Sequence, residues 1–135
     1  MAKFDIEFYT KADGKKPAKD FLLGLDIKMR AKLMGILDIL EESGNQLREP
    51  YSKHLKDGIF ELRGKVGNNI SRVLYFFYIG NRIILTNGFV KKTQKTPKRE
   101  LELAKQYKKD FLERIGENNE WISWIFKWAT SGCGI

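Results

Sequence analysis

Two apolar runs separated by one short turn constrain the fold of this chain more than any other feature. VLYFFYI covers residues 73–79, RIILTNGFV covers residues 82–90, and the pair Gly80-Asn81 lies between them. So short a connection predicts neighbouring antiparallel strands. Because both runs are apolar at many successive positions, we expect these strands to be buried on both faces of a sheet. Something must therefore cover each face.

The flanking segments predict the rest of the sheet. Residues 59–63 indicate a further strand, and GKVGNN separates it from a strand over residues 71–79. With the strand over residues 82–90 this gives an antiparallel meander. Residues 3–10 alternate between apolar and polar side chains, which is typical of a half-buried strand.

Three helices complete the prediction. Pro17 can occupy the first position of a short helix, AKDFLLGL, and apolar side chains at helical spacing predict a longer helix over about 26–43. Thr96-Pro97 is a helix-start signal for a helix from 97 to about 115. The predicted class is α+β in the order β-α-α-β-β-β-α. A small antiparallel sheet carries an N-terminal helical hairpin and a C-terminal helix.

The length of 135 residues favours one domain, which we place at residues 1–116. Residues 117–135 form a tail with a different composition. Four large apolar residues of this tail fall on one helical face: Trp121, Trp124, Ile125 and Trp128. The pattern predicts a short helix that packs on the domain or, alternatively, a docking surface for a partner.

Composition excludes several classes of protein. One cysteine permits no internal disulfide, and one cysteine with one histidine makes a zinc site of the usual type very improbable. The N-terminus does not resemble a signal peptide, and the longest apolar run is too short to span a bilayer. We therefore expect a cytoplasmic protein without membrane partner, metal or cofactor. The net charge of +8 points to a polyanionic partner.

Two arginines are expected to meet at the base of a hairpin. Arg63 ends the strand IFELR and Arg72 begins the strand RVLYFF. Like charges directly opposite each other are destabilising unless an anion lies between them or they project from opposite faces. His54 and Lys56 lie just upstream, within reach of the same sheet. The alternative is a pair of exposed edge arginines without a site.

The segment GFVKKTQKTPKRE, residues 88–100, joins the last strand to the last helix and holds five cations: Lys91, Lys92, Lys95, Lys98 and Arg99. Backbone amides at a helix start favour anions, so this position suits phosphate. A lysine-rich loop that only aids solubility is the alternative. Arginine stabilises charge that develops on phosphorus, and RNA supplies its own nucleophile, the 2′-hydroxyl. The residues thus fit phosphate-ester chemistry on RNA.

Four segments together resemble the RelE/ParE superfamily of toxins, and most closely its HigB-type, phage-associated branch: HLKDGIFELR, SRVLYFFYI, ILTNGFVKKTQKTP and ELELAKQY. The resemblance covers about residues 3–115. It implies a RelE-like fold and a toxin of a type II toxin–antitoxin system that cleaves mRNA, mostly on the ribosome. It also implies a cognate helix-turn-helix antitoxin as partner.

By this resemblance Arg63, Arg72 and Lys91 or Lys92 occupy catalytic positions. The charge and position of five further residues predict that they bind RNA: His54, Lys56, Lys95, Lys98 and Arg99. The chain departs from the best-known members at Ile59 and Glu61, where those proteins carry paired lysines. The general base is thus open among Lys91, Lys92, Lys95 and His54.

Two other functions fit the same basic surface. One is a ParE-like toxin, which inhibits DNA gyrase and needs no catalytic residues. The other is a nucleic-acid-binding accessory protein without toxicity. A focused cluster of arginines with nearby lysines favours the endoribonuclease, because simple binding requires no such focus.

Overall fold

The structure is a computed structural model that describes residues 3–90 and 95–118. Its elements are, in chain order, β1 (Asp5–Phe8), α1 (Pro17–Leu23), α2 (Ile27–Ser43), a 3-10 turn (Gly44–Gln46), β2 (Ser52–Lys56), β3 (Ile59–Val66), β4 (Asn69–Tyr78), β5 (Arg82–Val90) and α3 (Lys98–Asn118). The predicted α+β class is confirmed, with the helical hairpin before the strand meander and a helix after it.

The described strands form one sheet in the order β1-β5-β4-β3-β2. The meander β3-β4-β5 is antiparallel, as predicted. Two points differ from the prediction. The edge strand β2 was missed, because its sequence SKHLK is mostly polar, as suits a short edge strand. The sheet is mixed rather than antiparallel, since β1 pairs with β5 in parallel after the crossover through α1 and α2.

Helices α1 and α2 cover one face of the sheet. The Asp26 carboxylate caps α2 by accepting a hydrogen bond from the backbone N–H of Met29 at 2.7 Å. The apolar positions that predicted this helix are buried: Met29, Leu33, Ile36, Leu37 and Leu40. Gly64 lets α2 approach β3 closely, because a Cβ there would lie 2.7 Å from Cδ2 of Leu33.

Helix α3 covers the opposite face, where Ala104 packs in a second core with Leu74 and Phe76. Strand β4 is buried continuously from Ser71 to Phe76, so the expectation of strands buried on both faces is confirmed. The helix begins at Lys98, one residue later than predicted, and the Pro97 carbonyl accepts a hydrogen bond from the backbone N–H of Leu101.

A polar network ties α3 to the end of β1. The Tyr9 hydroxyl donates to Oδ2 of Asp110 at 2.5 Å, and its ring stacks on Tyr107 at 4.6 Å. Arg114 donates to the same carboxylate and to the carbonyl of Thr10. These contacts hold the middle and second half of α3 against the residues that follow β1.

No helix in residues 3–90 or 95–118 is long and apolar enough to cross a membrane. The domain boundary at residue 116 stays a prediction, and α3 continues past it to Asn118. The tryptophan-rich face predicted for the tail lies outside the described residues.

Candidate functional site

The two arginines meet as expected. Arg63 of β3 pairs directly with Arg72 of β4. Directly paired residues project from the same face of a sheet, which here is the face covered by α3. Two guanidinium groups therefore lie side by side in the fold, and this arrangement requires a compensating anion.

The anion is the protein's own Glu61. Its Oε1 lies 3.3 Å from Nε of Arg63, and its Oε2 lies 3.5 Å from Nη1 of Arg72. The Thr96 hydroxyl donates to the same carboxylate, so three groups hold Glu61. Glu61 is 1% exposed and Arg72 is fully buried. One buried carboxylate thus fixes both arginines and the start of the segment that leads into α3.

Burial determines what Arg72 can do. Removal from water lowers the pKa of its guanidinium, the Glu61 carboxylate opposes that change, and the charge of Arg63 adds to it. An arginine stays protonated at neutral pH even so. Because the side chain is fully buried, Arg72 has no exposed surface that could contact a ligand directly, and its contact with Glu61 links it to Arg63.

Arg63 is the arginine that reaches the surface, with 24% of its side chain exposed. It borders a cleft of about 540 Å³ between the edge strand and the start of α3. The described lining residues are Glu49, Lys53, His54, Leu55, Lys56, Glu61, Arg63, Lys95, Thr96 and Leu101. Four of the residues predicted from the sequence therefore meet in one place: Arg63, His54, Lys56 and Lys95.

His54 borders the cleft, but its ring packs against Phe60. It pairs with Phe60 in the β2–β3 register, and the two rings lie 4.8 Å apart. Phe60 packs against the core beneath α1 and α2, on the face opposite Glu61. Among the predicted RNA-binding residues, His54 is therefore poorly placed for contact with a group bound at Arg63.

The remaining predicted residues are not part of this cleft as described. Lys98 and Arg99 are exposed at the start of α3, where Nε of Arg99 lies 3.9 Å from Oε2 of Glu100. Lys91 and Lys92 lie outside the described residues, so their predicted catalytic role stays a prediction.

Sequence reasoning missed three residues of the site: Lys53, Glu61 and Thr96. Lys53 pairs with Glu61 across β2 and β3, and it was missed together with β2. Glu61 stands two residues before Arg63, so the period of a strand already placed both on one face. The sequence predicts Thr96 as a helix cap, whereas in the structure its hydroxyl donates to Glu61.

A buried hydroxyl pair fastens the edge strand that carries Lys53 and Lys56. The hydroxyls of Ser52 and Tyr75 lie 2.5 Å apart, and Tyr75 is 1% exposed. Burial raises the pKa of the Tyr75 phenol to about 12, which the hydrogen bond with Ser52 opposes. Tyr75 follows Arg72 by three positions, so its side chain lies on the opposite face of the sheet, in the core beneath α1 and α2.

The arrangement is suited to an anion with several oxygens. Arg63 offers N–H groups in a planar fork, and Lys53, Lys56 and Lys95 add positive charge around one cleft. The Glu61 ion pair orients the fork before any ligand arrives, which lowers the entropy cost of binding. A phosphodiester has the matching charge and geometry.

A mixed five-stranded sheet with a helical hairpin on one face and a helix on the other is a RelE-like fold. Residues 20–109, about two thirds of the chain, match the family described as Phage derived protein Gp49-like (DUF891). The chain belongs to this family, which is part of the RelE/ParE-like toxin superfamily. No curated protein matches the chain.

Proposed function

We propose that this protein is the toxin of a type II toxin–antitoxin system, of the HigB type, and that it cleaves mRNA on the ribosome in the cytoplasm. Translation is inhibited as a result, and a helix-turn-helix antitoxin neutralises the toxin. The observation that carries the proposal is Arg63, which is held by the buried Glu61 at the border of a basic cleft. Binding alone requires positive charge, whereas catalysis requires charge at a fixed position.

The proposed reaction is attack by the RNA's own 2′-oxygen on the adjacent phosphorus. The 2′-hydroxyl proton goes to a base on the protein, the bond from phosphorus to the 5′-oxygen breaks, and the leaving oxygen takes up a proton. The products are a 2′,3′-cyclic phosphate and a 5′-hydroxyl. We choose Lys91 or Lys92 as the base, with Lys95 as the alternative, because the His54 ring packs on Phe60 and away from Arg63.

Arg63 is assigned to the charge that develops on the phosphate oxygens. Its ion pair with Glu61 uses Nε, and the two terminal nitrogens carry the further N–H groups that a bidentate phosphate contact needs. Lys53, Lys56 and Lys95 are assigned to backbone phosphates. Arg72 and Thr96 hold Glu61, so they position Arg63 without touching the substrate.

Induction of the protein followed by mapping of transcript 5′ ends tests the proposal. We expect growth arrest together with new 5′-hydroxyl ends inside coding regions, and rescue by co-expression of the neighbouring antitoxin gene. Arrest with intact transcripts and inhibited gyrase would instead identify a ParE-like toxin. Normal growth at full expression would identify an accessory nucleic-acid-binding protein.

A further inference from the structure

A second groove lies beside the last residues of β3, which extend past the first residue of the edge strand β2. Its volume is about 560 Å³, and α2, the turn before β2 and the β3–β4 hairpin enclose it. An aromatic ring, apolar groups and cations border it, among them Tyr51, Ile36, Ile70, Lys32, Lys65 and Arg63. Neither the family nor the proposed reaction assigns a role to this groove.

The charge of the groove is of one sign. Lys32, Arg63 and Lys65 are its charged members, and no carboxylate is among the lining residues in the described part of the chain. The cleft at Arg63, by contrast, includes both Glu49 and Glu61. Lys32 and Lys65 are exposed, so an anionic ligand can reach them from solvent. The electrostatics favour a ligand that carries more than one negative charge.

Tyr51 gives the groove a flat apolar surface. The residue is 39% exposed, and it is the aromatic member of the large exposed hydrophobic residues in the described part of the chain. Ile36 and Pro50 extend the apolar surface next to it. An exposed aromatic ring close to lysines and an arginine is a combination that single-stranded nucleic acids use, because bases stack on the ring while cations bind the phosphates.

Arg63 connects this groove to the candidate active site. Arg63 is among the residues that border both the groove and the basic cleft. Its backbone N–H donates to the carbonyl of Tyr51 at 2.9 Å, so the ring-bearing residue is fixed next to the arginine. A strand of RNA with a phosphate at Arg63 therefore has its neighbouring nucleotide within reach of Tyr51.

We propose that this groove is a nucleotide subsite, in which Tyr51 stacks on the base next to the phosphate bound at Arg63, and Lys32 and Lys65 hold the adjoining phosphates. The proposal rests on the proposed function for its substrate class, single-stranded RNA. The site selects a base by stacking area and leaves its hydrogen-bonding edges unread, so it favours purines over pyrimidines.

The test compares two strands of equal length: a ten-nucleotide RNA with methylated 2′-oxygens, which cannot be cut, and the same sugar–phosphate chain without bases. Fluorescence anisotropy with the full-length protein gives both affinities over a series of salt concentrations. Base stacking on an aromatic ring strengthens binding by about tenfold or more, so we expect the intact strand to bind that much more tightly.

The variants separate stacking from charge. Tyr51→Ala is expected to remove the tenfold preference without changing binding of the abasic strand, Tyr51→Phe to keep the preference, and Tyr51→Leu to lose most of it. Lys32→Ala and Lys65→Ala should weaken both strands alike and flatten the salt slope by about one unit each. Lys28→Ala, on the same helix as Lys32 and also exposed, is the matched control and should change neither affinity.

If Tyr51→Ala still prefers the intact strand over the abasic strand by the same factor, the subsite proposal is wrong. It is also wrong if this variant loses antitoxin binding while both RNA affinities stay the same. Thermal unfolding of each variant checks that the exposed substitutions leave the fold intact. Because binding is measured on a strand that cannot be cleaved, the result for the nucleotide subsite does not depend on whether the protein is an endoribonuclease. Base-dependent binding without transcript cleavage would contradict the endoribonuclease and support the subsite.

Discussion

Arg63 is the residue on which the proposed chemistry depends most directly. It is the partly exposed arginine of the pair, and Glu61 fixes its orientation. We expect Arg63→Ala to abolish toxicity and to cost less stability than Arg72→Ala, because the fork that contacts phosphate is removed, the Arg63 side chain is partly exposed, and Arg72 and Thr96 still hold Glu61. Arg63→Lys should restore only part of the activity, since lysine supplies a point charge without the fork.

Growth arrest and transcript cleavage at equal expression measure this prediction, and urea unfolding checks the fold. Lys19→Ala, an exposed lysine on α1, is the control and should stay as toxic as the parent. Full toxicity of Arg63→Ala would mean that the assigned centre is wrong.

Arg72 is expected to respond to substitution in a different way. It is fully buried and ion-paired with the buried Glu61, so Arg72→Ala leaves a carboxylate in the interior with one partner fewer. Loss of one partner of a buried ion pair costs about 3–5 kcal/mol, which is a large part of the stability of a small domain. The variant should therefore lose activity mainly because it unfolds, which its urea midpoint will show.

Glu61→Gln separates positioning from folding at the same centre. The amide keeps the shape, but it has only one acceptor oxygen. With that oxygen toward Arg72 and Thr96, its NH2 group faces Nε of Arg63, which cannot accept a hydrogen bond, so Arg63 loses its fixed orientation along with the ion pairs. We expect the variant to fold, with kcat reduced by about tenfold or more and KM changed much less, because a misoriented Arg63 still attracts RNA. Unchanged kcat in a folded Glu61→Gln protein would contradict the positioning role.

At the scale of elements, the edge strand β2 depends on the pair of hydroxyls at Ser52 and Tyr75. The pKa of Tyr75 is raised to about 12 from an ordinary value near 10, so the folded state holds this proton more tightly than the unfolded state. The resulting stability is fully present below about pH 10 and is lost as the pH rises through about 12. The shift corresponds to about 3 kcal/mol.

Tyr75→Phe should therefore reduce the loss of stability between pH 9 and 12, measured by urea unfolding at each pH. Tyr9, whose pKa burial also raises to about 12, keeps its own share of that loss. Ser52→Ala is the control. Burial is the main cause of the shift and the hydrogen bond with Ser52 opposes it, so the alanine variant should retain the full pH dependence. An unchanged pH dependence in Tyr75→Phe would show that the phenol is not the group responsible.

The segment between β5 and α3 carries the lysines assigned to binding and to chemistry. A lysine that only binds phosphate should, when removed, weaken RNA binding and flatten the salt slope by about one unit. A lysine that takes up the 2′-hydroxyl proton should leave binding nearly unchanged and lower cleavage by about 10²-fold or more. We expect Lys95→Ala to show the first behaviour, and Lys91→Ala or Lys92→Ala the second.

Binding to an uncleavable strand and cleavage of its normal counterpart, measured for the same three variants, distinguish the two roles. Lys109→Ala, an exposed lysine farther along α3, serves as the control. If all three variants bind and cleave RNA like the parent, these lysines have no role in function and the segment is only a solvated loop.

Elements with a strong periodic signal could be predicted, and contacts between distant elements could not. The alternating and helical patterns gave α2, β3, β4, β5 and α3 to within a few residues. Strand β2 was not predicted, because an edge strand buries few side chains and its sequence therefore lacks the alternation of apolar and polar residues. The register of Arg63 against Arg72 followed from a short hairpin, whereas the Glu61–Thr96 contact joins residues 35 positions apart and has no local signature.

For the molecule as a whole, the decisive question is how the RNA backbone is cleaved. The chain has one histidine and one cysteine, and its proposed site is built from arginine, lysine and one buried carboxylate. Such a site acts through the 2′-oxygen of RNA, so we expect cleavage of purified RNA to continue in EDTA. The fragments should carry a 5′-hydroxyl, detected because polynucleotide kinase labels them without prior removal of phosphate.

A single 2′-deoxy nucleotide at the cleavage position is the matched control for this prediction. It removes the nucleophile and nothing else, so cleavage at that position should fall by several powers of ten while binding of the strand stays the same. If cleavage instead stops in EDTA, returns with magnesium and leaves 5′-phosphate ends on the deoxy-substituted strand, water is the nucleophile. The roles assigned to Arg63 and to the lysines would then have to be replaced by a metal-dependent mechanism.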